Sequence, residues 1–190
     1  MFIPIDRPIF LRELASRMYG ATPYYLAMVT NSSVVVLVYP VIVTLTSFFF
    51  FGLEESSFGD CLEWMLIMGH LMLAGSLFGF MLGTFLDNEV VGTQVNSLFI
   101  IFFTFGAGFF ANAGDNANFV VEMLSYVSPL RYSTEIFTRK VYEGKLGGNF
   151  VMEQFGYTWG RETCMLMLQL WIVSVFFIGL FSIRWKTRNY

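Results

Sequence analysis

The sequence predicts an all-α integral membrane protein, with four transmembrane helices, an N-terminal amphipathic helix and a re-entrant external helical hairpin. Three observations carry that prediction. Of 190 residues, 56% are hydrophobic and only 13% charged, where soluble domains average about a quarter charged. Charge-free stretches cover 18–53, 64–86, 90–114 and 163–183, and about 20 apolar residues suffice to cross a bilayer. Two further segments repeat apolar residues at helical spacing without being long enough to span. The spans occupy more than half the chain, so 1–190 reads as one polytopic domain with no room for a second soluble domain of ordinary size.

Residues 1–24 lead into the first span. Within DRPIFLRELASRM (6–18) an acid and a proline suit a helix's first turn. Phe10, Leu14 and Met18 share one face, with Arg12, Glu13, Ser16 and Arg17 elsewhere. Such a helix lies on the membrane surface, either as an anchor or as a docking element for a cytosolic partner. The first span, 26–53, is preceded by Tyr24 and has Tyr25 beside it at headgroup level. Pro40 sits mid-way and is expected to kink it. Asn31-Ser32-Ser33 matches the N-x-S glycosylation pattern but falls near the cytoplasmic mouth, out of reach of lumenal enzymes.

The second span, 64–86, opens on Trp64 and carries Gly75, Gly79 and Gly83 at i, i+4 and i+8. They form a smooth strip for close approach of another helix, from this chain or a second copy. His70, about a turn and a half into that span, is either a substrate contact or a hydrogen-bond donor to a neighbouring helix. The third span, 90–113, contains Gly106 and Gly108, where backbones can pass closely, and the bulky pair Phe109 and Phe110 near its external end. In the loop 114–162, Phe119, Val120, Met123, Leu124 and Val127 form a stripe ending at Ser128-Pro129. A second stripe, Leu130, Thr134, Phe137 and Val141, runs beside the i, i+4 pair Arg131 and Glu135. Two short helices joined at a proline are therefore expected to dip against or partly into the membrane, with Gly144, Gly147 and Gly148 in the return loop. The fourth span, 163–185, closes on Trp185.

Orientation follows the positive-inside rule. Arg7, Arg12 and Arg17 precede the first span, and Arg184, Lys186 and Arg188 follow the last, which puts both ends in the cytoplasm. Segment 54–63 holds Glu54, Glu55, Asp60 and Glu63 without a base, as an external loop should, and 87–89 is a tight internal turn. The loop 114–162 carries Arg131, Arg139, Lys140, Lys145 and Arg161, but the even span count and the loop's length place it outside. Cys61 and Cys164 then lie at external helix ends, paired or unpaired.

The absences exclude other classes. There is no G-x-x-x-x-G-K-[ST] loop, H-E-x-x-H, G-x-S-x-G or paired-cysteine pattern, and one histidine supports no histidine-based metal site, so catalysis and cofactor binding within this chain are not expected. A net charge of −3 offers no basic patch for nucleic acid. The N-terminus lacks the basic-then-apolar order of a cleavable signal, so the first span directs insertion.

Two segments carry a family resemblance. DRPIFLRELASRMYGATPYYLA resembles the approach to the third transmembrane helix in the G subfamily (White type) of ATP-binding-cassette half-transporters, through Arg7, Phe10, Arg12, Glu13, Tyr19, Tyr25 and Leu26. Asp6 stands for the usual Glu. GAGFFANAGDNANFVVEMLSYVSPLRYSTEIF is similar to that family's fifth-helix end and re-entrant segment, with G-F-F at Gly108, Phe109 and Phe110 and the motif Tyr126, Ser128, Pro129, Arg131, Tyr132 and Glu135.

The resemblance implies the C-terminal part of an ABC-2 type transmembrane domain. The nucleotide-binding domain and two earlier helices would precede it, with ATP and Mg used only in the complete transporter. It implies an exporter of lipids, sterols or other hydrophobic compounds at the plasma membrane or an organelle membrane. The second transporter half, as homo- or heterodimer, would be its partner beside membrane lipid and a hydrophobic small molecule. Arg7, Arg12 and Glu13 would couple to the nucleotide-binding domain, and Phe109 and Phe110 would form the outward gate. A four-helix scaffold or regulatory fragment is the alternative. A channel is another, although the spans offer only scattered polar groups such as Thr44, Thr46, Ser47, Asn96 and Thr104.

Overall fold

A computed structural model describes residues 3–51, 58–108, 119–142 and 147–188. Eight helices run in order: α1 (Ile3–Ala15), α2 (Ala21–Phe51), α3 (Phe58–Phe85), α4 (Glu89–Gly106), α5 (Phe119–Val127), α6 (Pro129–Tyr142), α7 (Gly148–Gln154) and α8 (Arg161–Lys186). No strand occurs among the described residues. α2, α3, α4 and α8 are long and apolar enough to cross a membrane, and the chain is an integral membrane protein. Much of their surface is apolar and exposed, as at Leu37, Phe50, Ile101 and Phe177, which a lipid solvent tolerates and water does not.

α3 and α8 are the central pair, α2 lies along α3, and α4 packs mainly on α5 and α6. Three apolar clusters follow one another along the bundle. Phe10, Tyr25, Phe80 and Ile183 fill the end where α1 sits. Leu77, Phe78, Leu82, Phe103 and Val175 fill the middle. Ile67, Ala74, Tyr132, Ile136, Cys164 and Leu168 fill the end where α5, α6 and α7 gather. Both cysteine thiols are free.

Several expectations shift. α1 begins at Ile3, so Pro8 lies inside it rather than in its first turn. It also stops before Met18. Arg17 adopts φ 57°, its N–H bonds Leu14 O, and the Met18 N–H bonds Glu13 O; this paired closure ends a helix at a left-handed residue. Met18 is thereby turned out, 70% exposed, and the expected apolar face reduces to Phe10 and Leu14, both packed in the first cluster.

Tyr24 and Tyr25 are packing residues rather than headgroup anchors. Tyr24 stacks on Phe10 at 4.0 Å between ring centres, and Tyr25 is completely buried over Gly179, where a methyl group would stand 2.3 Å from the Tyr25 hydroxyl. α2 is helical through Pro40, which is buried beside Gly69. α4 ends at Gly106 rather than near 113, because the chain turns at Ala107 and Gly108, the latter at φ 89°. Phe109 and Phe110 fall outside the described residues.

Candidate functional site

Two polar constellations sit at opposite ends of this apolar bundle. At the first, α1 meets the start of α2 and the ends of α3 and α8. Phe10 is buried beneath α1, with Tyr24 and Tyr19 stacked beside it. The Tyr19 hydroxyl donates to Glu13 Oε2. That bond to an anion, helped by desolvation and by the carboxylate's charge, pushes the Tyr19 phenol up to about 12. Arg12 is exposed, and the Arg7 side chain lies outside the described residues.

The helix ends beneath are tied together. Arg184 Nε donates to Thr22 Oγ1 at 2.8 Å. Lys186 Nζ donates to the Thr84 and Phe85 carbonyls, 3.3 and 3.0 Å away, and pairs with Asp87. An ammonium is well placed there, because α3's last carbonyls lack helical partners and carry the negative end of its dipole. Gly83 is buried and lines a small gap with Phe10, Leu11 and Ile183. Gly75 and Gly79 differ, since a methyl group at either would meet nothing within 4 Å among the described residues.

At the opposite end, α5, α6 and the 155–160 turn enclose charge. Gly106 lets α4 approach α5 so closely that a methyl group there would lie 2.7 Å from Leu124 O. Ser128 Oγ donates to Phe103 O at 2.7 Å, and Trp171 Nε1 donates to Val127 O at 3.0 Å. Trp171 lies about 15 Å along α8 from Arg161 at the helical rise, so the Ser128-Pro129 corner sits well below the start of α8. Glu135 is completely buried. Its Oε1 accepts from Arg139 Nε and Nη2 at 3.2 and 3.0 Å and from the Trp159 amide at 2.6 Å. Oε2 finds no hydrogen bond among the described residues.

Glu135 therefore pairs with Arg139 rather than with Arg131. The orientation is the favourable one, acid preceding base, whereas Arg131 to Glu135 would be the reverse. Arg131 turns instead to Ser125 Oγ, to Gly156 O at 3.1 Å and over the Tyr126 ring at 5.3 Å. Tyr132 donates to the Tyr126 carbonyl. The motif Tyr126, Ser128, Pro129, Arg131, Tyr132 and Glu135 is thus brought into one unit.

Its partners on later turns were not singled out from the sequence. Tyr157 donates to Ala107 O at 2.8 Å, and Lys140 bridges Asp60, at 3.0 Å, and Glu63 of α3. The acid-rich 54–63 segment facing a loop of unexplained bases was the available signal for Lys140; Tyr157 had none. Among the described residues no group of three or more His, Cys, Asp or Glu gathers to hold a metal ion. The geometry ties helix ends to one another, at the first end through Arg184 and Lys186 and at the second through Arg131, Arg139 and Lys140.

Comparison with known proteins agrees with this picture. The family model described as "ABC-2 type transporter" matches residues 1–141. "ABC transporter G family member 1" of Dictyostelium discoideum is 24% identical over 205 residues, covering 95% of this chain and 25% of that protein. "Protein white" of Drosophila melanogaster is 27% identical over 132 residues, covering 68% of this chain and 19% of that protein. The chain therefore spans at most a quarter of either relative's length.

Proposed function

The chain belongs to the ABC-2 type transporter family, in its G-subfamily form, and from that premise we propose that it is the membrane-spanning portion of an ATP-driven exporter of lipids, sterols or other hydrophobic compounds. Its role is in membrane transport. ATP and Mg would be used by a nucleotide-binding domain outside this chain, and a second transporter half would complete the pathway. On this reading both termini are cytoplasmic, at the plasma membrane or an organelle membrane, and the α5–α6 hairpin re-enters the membrane from outside. The open Gly75 and Gly79 strip would receive a helix from elsewhere in the assembly. Phe109 and Phe110 are proposed as the outward gate, where paired aromatics would close the passage by dispersion contact.

The observation that supports this most is the seat of α1. A coupling element must be stiffly joined to the spans yet offer charge to a partner. α1 is pinned through Phe10 to residues of α2, α3 and α8 at once, while Arg12 stays exposed and Glu13 is held in place by Tyr19. Arg7, Arg12 and Glu13 are the proposed coupling residues. In the complete transporter, Glu13→Ala should lower substrate-stimulated ATP turnover and transport together by about fivefold or more, the scale of ordinary coupling energies, with membrane insertion intact. Parental transport by Glu13→Ala would reduce α1 to a surface anchor.

A further inference from the structure

A pocket opens between α2 and α3, away from both constellations. Its volume is about 180 Å³, and Ser33, Val36 and Leu37 of α2 face Gly69, His70 and Leu73 of α3 across it. Pro40 lies beside Gly69, where the missing side chain leaves room. Because α3 starts at Phe58, His70 is about 18 Å, a little over three turns, into the helix. The helix's first turns carry Asp60 and Glu63, both paired with Lys140, so His70 lies seven residues, about 10 Å, past the last charge of α3 and, on the proposed topology, within the hydrocarbon layer of a membrane about 30 Å thick.

Among the described residues His70 bonds no neighbouring helix. Its Nδ1 is 2.7 Å from the Leu66 carbonyl of its own helix. A carbonyl can only accept, so Nδ1 carries the hydrogen, and in a neutral imidazole that leaves Nε2 a bare acceptor. Among the described residues nothing donates to it. Ser33 has also committed its proton, donating to Val29 O at 2.7 Å. The two polar groups of the pocket therefore offer lone pairs alone, inside a medium that supplies no donors.

We propose that this pocket binds a long-chain alcohol of the bilayer, its hydroxyl donating to His70 Nε2 and its chain lying against the apolar walls. The chemistry selects that class. An ionised fatty acid would bring a carboxylate against two acceptors, and its neutral form would bring a carbonyl oxygen there beside its hydroxyl. An amine would bring an ammonium to a pocket with no carboxylate in its walls. The volume, about six water-sized units at roughly 30 Å³ each, takes a hydroxyl and its first carbons, while a phosphate headgroup, like a carboxylate, would bring charged oxygens against the same two acceptors. The site is independent of the transport reading, and its test reads binding rather than export.

The experiment uses the complete protein in lipid nanodiscs. It is photolabelled with a long-chain fatty alcohol carrying a diazirine and an alkyne, and in parallel with the methyl ether of the same probe, which has lost only the donor. Label should map to 33–37 and 65–73, with the alcohol exceeding the ether by about fivefold, the scale of one intramembrane hydrogen bond. His70→Phe should bring the alcohol down to the ether's level, whereas His70→Gln, which keeps an acceptor, should retain most of the difference. Val36→Trp, which fills the pocket from the opposite wall and leaves residue 70 a histidine, should abolish labelling there. Equal labelling by alcohol and ether, an unaltered preference in His70→Phe, or no label on these segments because water or another helix fills the pocket would each overturn the proposal.

Discussion

Glu135 is shut away from solvent with one oxygen gripped by Arg139 and by the Trp159 amide, so its charge is supported only while those donors remain. Removing one partner of a buried pair costs more than the pair contributes, because the other charge is left uncompensated. Arg139→Met should therefore destabilise the protein by about 3 kcal/mol, read as a lower thermal midpoint in detergent. Adding Glu135→Gln should recover at least half of that loss, because the stranded charge is gone. An Arg139→Met protein as stable as the parent would show that the pair is dispensable. Helical spacing makes both Arg131 and Arg139 neighbours of Glu135, and the choice between them was not legible in the sequence. It is made by Ser125 and Gly156, which draw Arg131 away. Tyr24 and Tyr25 illustrate a related limit: an aromatic residue at a span's mouth suits either a headgroup or a neighbouring helix, and only the seat of α1 and Gly179 decides between them.

At the scale of elements, hydropathy marks the four spans because each buries no charge, and Ser128-Pro129 marks the hairpin corner because proline cannot continue a helix. Helix ends were harder. α4 stops early through the backbone conformation of Gly108, and α1 through a left-handed Arg17, where glycine would be the usual residue. The α1–α2 corner that results is held by the Tyr19 phenol on Glu13. Docking raises that phenol's pKa from 10.0 to about 12, so the protonated form is the docked one. Its contribution is complete below the unfolded value near 10 and is lost as pH rises through about 12. The difference in tyrosinate absorbance between the parent and Tyr19→Phe should accordingly titrate near 12 and be flat across neutral pH; a midpoint near 10 would mean that the contact is not made.

For the whole molecule, the long-range ties join elements far apart in sequence. Lys140 reaches Asp60 and Glu63, and Lys186 reaches the end of α3; no local pattern foretells such pairs. They fix which helix ends share a side, while the proposed sidedness rests on charge bias. Asn149, exposed at the start of α7, is the marker. In a protein with Cys61 and Cys164 replaced by Ala, Asn149→Cys should react with an impermeant maleimide on intact cells, and reaction only after permeabilisation would invert the proposed topology. The hairpin's construction also imposes an order on biogenesis. Arg131 and Glu135 leave the ribosome before Gly156 and the Trp159 amide exist, and the corner at Val127 must wait for Trp171. A nascent chain halted in that interval has Glu135 on Arg139 alone and Arg131 without the Gly156 carbonyl. The hairpin's hydrogen bonds are therefore complete only once the chain through Trp171 has been made.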